Sequence, residues 1–176
     1  MAEMKVEFDG LDKVLATLNP RVYRKALNRT VNDIGAKMKT YTTKEVRRTY
    51  NIKAKDIKQF MQVKRSRYED MKYQMQIRSS PLNAIRFGAK ALKKRGNVSV
   101  RIRKDNGRKV LKRAFLSKSG KAVLQREKGS QKIRAVATIS IPQMFNDKIL
   151  KGADDMARNE FSKKLQDNFN FYIGKV

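Results

Sequence analysis

Residues 97–111 read NVSVRIRKDNGRKVL, and their pattern decides the fold class. Val98, Val100 and Ile102 alternate with Ser99, Arg101 and Arg103, the two-residue period of a strand with one face buried and one in solvent. Asp105-Asn106-Gly107 follows, and Asn-Gly predicts a tight hairpin turn because both residues tolerate positive φ. Val110 and Leu111 open the return strand. Further on, Ser117-Lys118-Ser119-Gly120 predicts a second turn, leading to a strand through Val123, Leu124 and Gln125. After Gly129, Ile133, Ala135, Ala137, Ile139 and Ile141 alternate along a long final strand ending at Pro142. On the N-terminal side, Met71, Tyr73, Met75 and Ile77 alternate with Lys72, Gln74, Gln76 and Arg78, and Ser79-Ser80-Pro81 ends that strand.

Helical spacing flanks these strands. From Pro20, well placed at a first helical position, an apolar stripe runs through Val22, Tyr23, Ala26, Leu27, Thr30, Val31, Ile34, Met38 and Tyr41. After a break near Asn51, a second short helix groups Ile57, Phe60 and Met61 on one side. A C-terminal helix over about 146–170 carries Ile149, Leu150, Ala153, Met156, Phe161, Leu165 and Phe169, with Asn146 as its cap. At the start of the chain, Met4, Val6 and Phe8 alternate with Lys5, Glu7 and Asp9 as a strand. Leu11, Val14, Leu15 and Leu18 then make a short helix ending at Asn19-Pro20. With no internal repeat and no long linker, residues 1–176 read as one α+β domain. It would hold an antiparallel, hairpin-built sheet, a long helix in the N-terminal half and a C-terminal helix packed on it.

Charge narrows the function. Lys and Arg number 43 against 16 Asp and Glu, a formal net charge of +27. A charge of roughly 2 to 8 suffices for solubility, and self-repulsion on the larger scale opposes compaction unless a polyanion absorbs it. Over half the excess lies between Arg86 and Arg134, where 18 cations face two acids, Asp105 and Glu127. Nucleic acid is therefore the leading partner and an acidic protein surface the second. Arg101, Arg103, Lys104, Arg108, Lys109, Lys112 and Arg113 are expected to face DNA, with the first two opposite Val98 and Val100 and the others returning beside them. Only Phe87 and Phe115 are aromatic here, so phosphate contact is favoured over base stacking. Phe115 and the Pro142-Met144-Phe145 segment follow apolar strands near turns and are candidate assembly contacts.

Catalysis finds little support. Cys and His are absent, which removes disulfides, the usual zinc-finger ligand sets, His bases and Cys nucleophiles. Asp70-Met71-Lys72 matches part of a nuclease motif with Asp56 as the first carboxylate, but no other acid clusters nearby. Ser119-Gly120-Lys121 lacks the leading glycine of a phosphate-binding loop. No catalytic residue, metal or cofactor is expected. No run reaches the roughly 20 apolar residues of a membrane span, and residues 1–5 lack a signal-peptide core.

The order of landmarks resembles the phage minor tail protein Z, or tail-completion, family across most of the chain. The resemblance is carried by Gly10-Leu11, Ala26-Leu27-Asn28-Arg29-Thr30, Val46-Arg47-Arg48 with Ile52-Lys53, and Pro81-Leu82 through Arg86-Phe87-Gly88-Ala89. It continues through Gly96-Asn97-Val98-Ser99-Val100, Ala114-Phe115-Leu116, Ser119-Gly120, Val123-Leu124-Gln125-Arg126 and Ile141-Pro142-Gln143-Met144-Phe145. There are two departures: Arg113 stands where a glycine commonly precedes Ala-Phe, and Arg134-Ala135 replaces a Leu-Pro or similar pair. The resemblance implies a virion protein, assembled in the host cytoplasm, that finishes the head-proximal end of a tail and helps join it to the capsid connector. It implies a homo-oligomeric ring, sixfold favoured, beside tail terminator, tail tube or connector proteins, with double-stranded DNA in the lumen. The other reading is a stand-alone, sequence-indifferent nucleic-acid-binding protein.

Overall fold

A computed structural model of the chain describes residues 19–93 and 96–175; the strand expected over 4–8 and the helix over 11–18 lie outside them. The described residues are α+β. In chain order they form α1 (Pro20–Thr49), α2 (Ala54–Lys58), β1 (Met61–Lys64), β2 (Gln74–Ile77), a 3-10 turn (Ala84–Phe87), β3 (Lys90–Ala91), β4 (Asn97–Val100), β5 (Lys109–Lys112), β6 (Ala114–Leu116), β7 (Val123–Arg126), β8 (Ile133–Ala135), α3 (Ile141–Met144) and α4 (Asp147–Ile173). The strands make three small antiparallel sheets, β1-β2, β3-β4-β5 and β6-β7-β8. Contacts divide the chain into two compact units, and α1 contributes to both: up to Thr42 to the first, from Thr43 to the second.

The first unit joins α1 to α4 and the β1-β2 hairpin. Asn19 caps α1 by accepting from Val22 N–H at 3.2 Å, and Asn146 caps α4 by accepting from Ile149 N–H at 3.0 Å. Val22, Ala26 and Ile34 pack against Ala157, Phe161, Leu165 and Phe169, flanked by Leu27, Val31 and Met38. Burying side chains of this size stabilises by about 1.5–3 kcal/mol each. One polar pair sits inside this seam, where Asn168 Nδ2 donates to Thr30 Oγ1 at 2.9 Å. Asn32 holds the hairpin to the helix, accepting from Ser66 N–H at 3.0 Å and donating to Ser66 O at 3.1 Å. Met61 opens a strand rather than closing the preceding helix: it pairs with Ile77, and Val63 with Met75. The second strand starts only at Gln74, shorter than the alternation from Met71 suggests.

The second unit holds α2, the other two sheets and α3 around Val46, Ile57, Phe87, Val98, Val123, Ile141 and Met144, all buried. Asn83 clamps the 3-10 turn to β7, accepting from Ile85 and Val123 N–H at 3.1 and 2.8 Å and donating to Val123 O at 3.1 Å. Gly88, at φ 63, ends the turn in the left-handed conformation. Asp56 of α2 is buried and ion-paired to Arg86. The expected long final strand stops at Ala135. Beyond a single bridge of Ala137 to Asn83, Ser140 begins the short helix α3, its N–H donating to Gln143 Oε1 at 2.8 Å. Proline at the second residue of that helix fits its first turn, which needs no amide donor.

Candidate nucleic-acid interface

The seven cations singled out in the sequence occupy residues 101–113 of the second unit, but the Asn-Gly hairpin turn does not form. Val100 pairs with Lys109, so residues 101–108 make a wide loop, and Gly107 is not left-handed. The reason lies at the end of α1, whose last carbonyls have no partner within the helix. Lys104 N–H donates to Thr49 O at 2.8 Å, Asn51 N–H donates to Ile102 O at 2.8 Å, and Tyr50 bridges Arg103. The strand that leaves β4 therefore pairs with the helix exit instead of turning back at once.

Three arginines hold this loop from within. Arg101 donates to the carbonyls of Lys104 and Asn106, the second at 3.1 Å. Arg103 grips Asp105 through Nε at 3.0 Å and Nη2 at 2.6 Å, while its guanidinium stands 5.7 Å from the Tyr50 ring centre. Its hydrogen bond raises the Arg103 pKa and holds the Asp105 carboxyl below the usual carboxylate range. Arg108 reaches across the sheet to Ser99 Oγ at 3.1 Å, Ser99 O at 2.9 Å and Gly88 O at 2.6 Å. The planar fork of donors on arginine suits it to such multiple capture of carbonyls.

Lys104, Lys109, Lys112 and Arg113 differ. Among the described residues their side chains have no hydrogen-bond or ion-pair partner, and all four are exposed. Register also separates two of them. Lys112 pairs with Asn97 and shares a face with Ser99 and Lys90, whereas Lys109 pairs with Val100 and falls on the face of Val98, at its open end.

Arg113 has a further property that residue types alone do not reveal. At φ 57 it is, among the described residues, the one non-glycine with positive φ. For a residue with a β-carbon the left-handed conformation costs about 1–2 kcal/mol. Arg113 forms the corner between β5 and β6: Ala114 N–H donates to Gly96 O at 3.0 Å and Arg126 N–H donates to Arg113 O at 3.1 Å. The departure from glycine at this position was the visible signal in the sequence.

Of the four candidate assembly residues, Met144 and Phe145 are buried in the core of their own unit. Phe115 is half-buried and Pro142 exposed. Of the two carboxylates weighed for a nuclease, Asp56 pairs with Arg86, whereas the Asp70 side chain is exposed and lies 3.9 Å from Lys72, the other charged residue of its own motif. Among the described residues no three acids cluster to hold a metal, and no helix is long and apolar enough to cross a membrane.

The second unit thus combines a loop held by arginine hydrogen bonds with exposed basic residues on β5, over a small core. The model of the prophage minor tail protein Z family matches residues 6–176. The chain belongs to this family of phage tail proteins. No curated protein and no solved structure matches it.

Proposed function

We propose that the protein completes the head-proximal end of a phage tail and helps join the tail to the capsid connector, as a ring of identical subunits with sixfold symmetry favoured. The tail terminator, tail tube or connector proteins are its neighbours, and its basic surface faces the DNA channel. The observation that carries this reading is the exposed, unpartnered set Lys104, Lys109, Lys112 and Arg113 beside a loop locked by its own arginines, in a tail protein. Such a surface meets phosphates electrostatically and without regard to base sequence. Arg113 supports the same reading, since here a cation stands where glycine would sit without strain.

The test is the salt dependence of binding to duplex DNA. Affinity should fall linearly on a log–log plot, by about 0.9 for each phosphate neutralised. Changing Lys104, Lys112 and Arg113 to Gln should flatten the slope by roughly two to three units. In the phage, the same change should give tails that assemble but join heads poorly. An unaltered slope with lost co-assembly would assign these cations to acidic neighbours instead.

A further inference from the structure

Among the described residues, β8 forms an unpaired edge of the sheet β6-β7-β8. Val136 N–H donates to Val123 O, and Lys132 O accepts from Glu127 N–H, so the Val136 amide and the Lys132 carbonyl both face β7. In the antiparallel alternation the peptide groups of Ile133 and Ala135 then point away from β7, and among the described residues no strand pairs with that edge. The side chains sort by face. Ala114 and Val123 are buried on one face, which also carries Arg134; Phe115, Leu124, Ile133 and Ala135 share the other, where Ile133 is 49% exposed. Charge is lopsided here too: residues 126–134 hold four cations against Glu127 alone. Arg134 reaches Glu127 only at 3.9 Å and keeps 67% of its side chain exposed.

An edge of this kind is a template for one more strand, and its chemistry specifies which. A second β8 would set Arg134 and Lys132 against their own copies. The fitting partner is an extended segment with apolar residues at every second position and acids between them. This chain contains one. Residues 3–12, EMKVEFDGLD, alternate Met4, Val6 and Phe8 with Lys5, Glu7 and Asp9, and carry four acids against one lysine in a chain of net charge +27.

We propose that residues 4–9 of one copy add as a strand to the β8 edge of the next. Val6 and Phe8 then extend the face of Ile133 and Ala135, and Glu7 lies on the face of Arg134. Each copy offers one acidic segment and one cationic edge, so the contact is head-to-tail and can close a ring. The trans arrangement rests on the ring reading above; the fit of segment to edge does not.

The absence of cysteine gives a clean experiment on full-length chains. Copies with a single cysteine, at Lys5, Val6, Glu7 or Phe8, are mixed with copies carrying Ala135→Cys and oxidised mildly. Cross-links between copies are expected from Val6→Cys and Phe8→Cys and not from Lys5→Cys or Glu7→Cys, the parity of a paired strand. Arg134→Glu in the acceptor should cut the yield about tenfold through like-charge opposition, and Glu7→Arg in the donor should restore it. Absence of cross-links between copies, yields that ignore parity, or no response to Arg134→Glu would overturn the proposal. So would a bond that closes only within one chain bearing both cysteines. Failure of the proposed function would look different: an unchanged DNA salt slope, with the cross-linking pattern intact.

Discussion

The ring of Tyr73 lies against the backbone of Gly35, so close that a β-carbon at position 35 would overlap the ring. Gly35 sits within α1, where alanine is ordinarily better than glycine by about 1 kcal/mol. Here the sign should reverse. Gly35→Ala must displace Tyr73, whose partial burial raises its phenol pKa above the ordinary value, with Arg65 opposing. A net loss of about 1–3 kcal/mol is expected, as for other overpacked sites. Denaturant unfolding measures the loss, and a fall of the Tyr73 pKa toward its usual value would report the ring's release.

Arg113→Gly should separate stability from charge. Relief of the left-handed backbone predicts a gain of about 1 kcal/mol in unfolding free energy. Loss of one cation predicts weaker DNA binding with a shallower salt slope, by about one unit. A destabilised variant would refute the strain argument.

Asp105 should titrate below the ordinary carboxylate range because Arg103 hydrogen-bonds it. Its folded pKa is depressed, so the contribution of this contact is present above the unfolded pKa and fades as pH falls through the folded one. Both groups lie in solvent, so the signature is local. Carboxyl NMR should show the Asp105 pKa rising to normal in Arg103→Gln, with the amides of Lys104 and Asn51, which pair the loop with the exit of α1, losing protection.

Asp56 gives the opposite regime, since its carboxylate is buried while Arg86 remains half exposed. Arg86→Ala strands that charge and should cost about 2–3 kcal/mol, less than a fully buried pair because water reaches the arginine. Asp56→Asn should cost less than Arg86→Ala. Equal and small effects would show that solvent already screens the pair.

Periodicity made the helices legible, since Val22 to Met38 and Ile149 to Phe169 each trace one apolar stripe bounded by Asn19-Pro20 and Asn146. The strands were legible in place but not in length. Residues 133–141 alternate faithfully, yet Ser140 and Pro142 satisfy a helix start, and that local hydrogen bonding overrides the alternation. The Asn-Gly turn failed because its competitor lies about fifty residues away at Thr49 and Asn51, and a window along the sequence cannot see an orphan helix carbonyl. The candidate site was legible as charge alone. Which cations are spent on the fold, as Arg101, Arg103 and Arg108 are, depends on carbonyls that only the folded chain brings near.

The seam between Thr30 and Asn168 also sets a timetable for synthesis. The two residues that hydrogen-bond inside it are 138 positions apart. A ribosome adding about 5–20 residues per second needs roughly seven to thirty seconds between them. Through that interval the apolar stripe of the first long helix has none of its α4 partners, while the strongly cationic middle of the chain emerges behind it. The nascent protein thus exposes a sticky helix and then a polycation before the core of its first unit can close, and whatever shields those two surfaces in the cell governs how much of it reaches a tail.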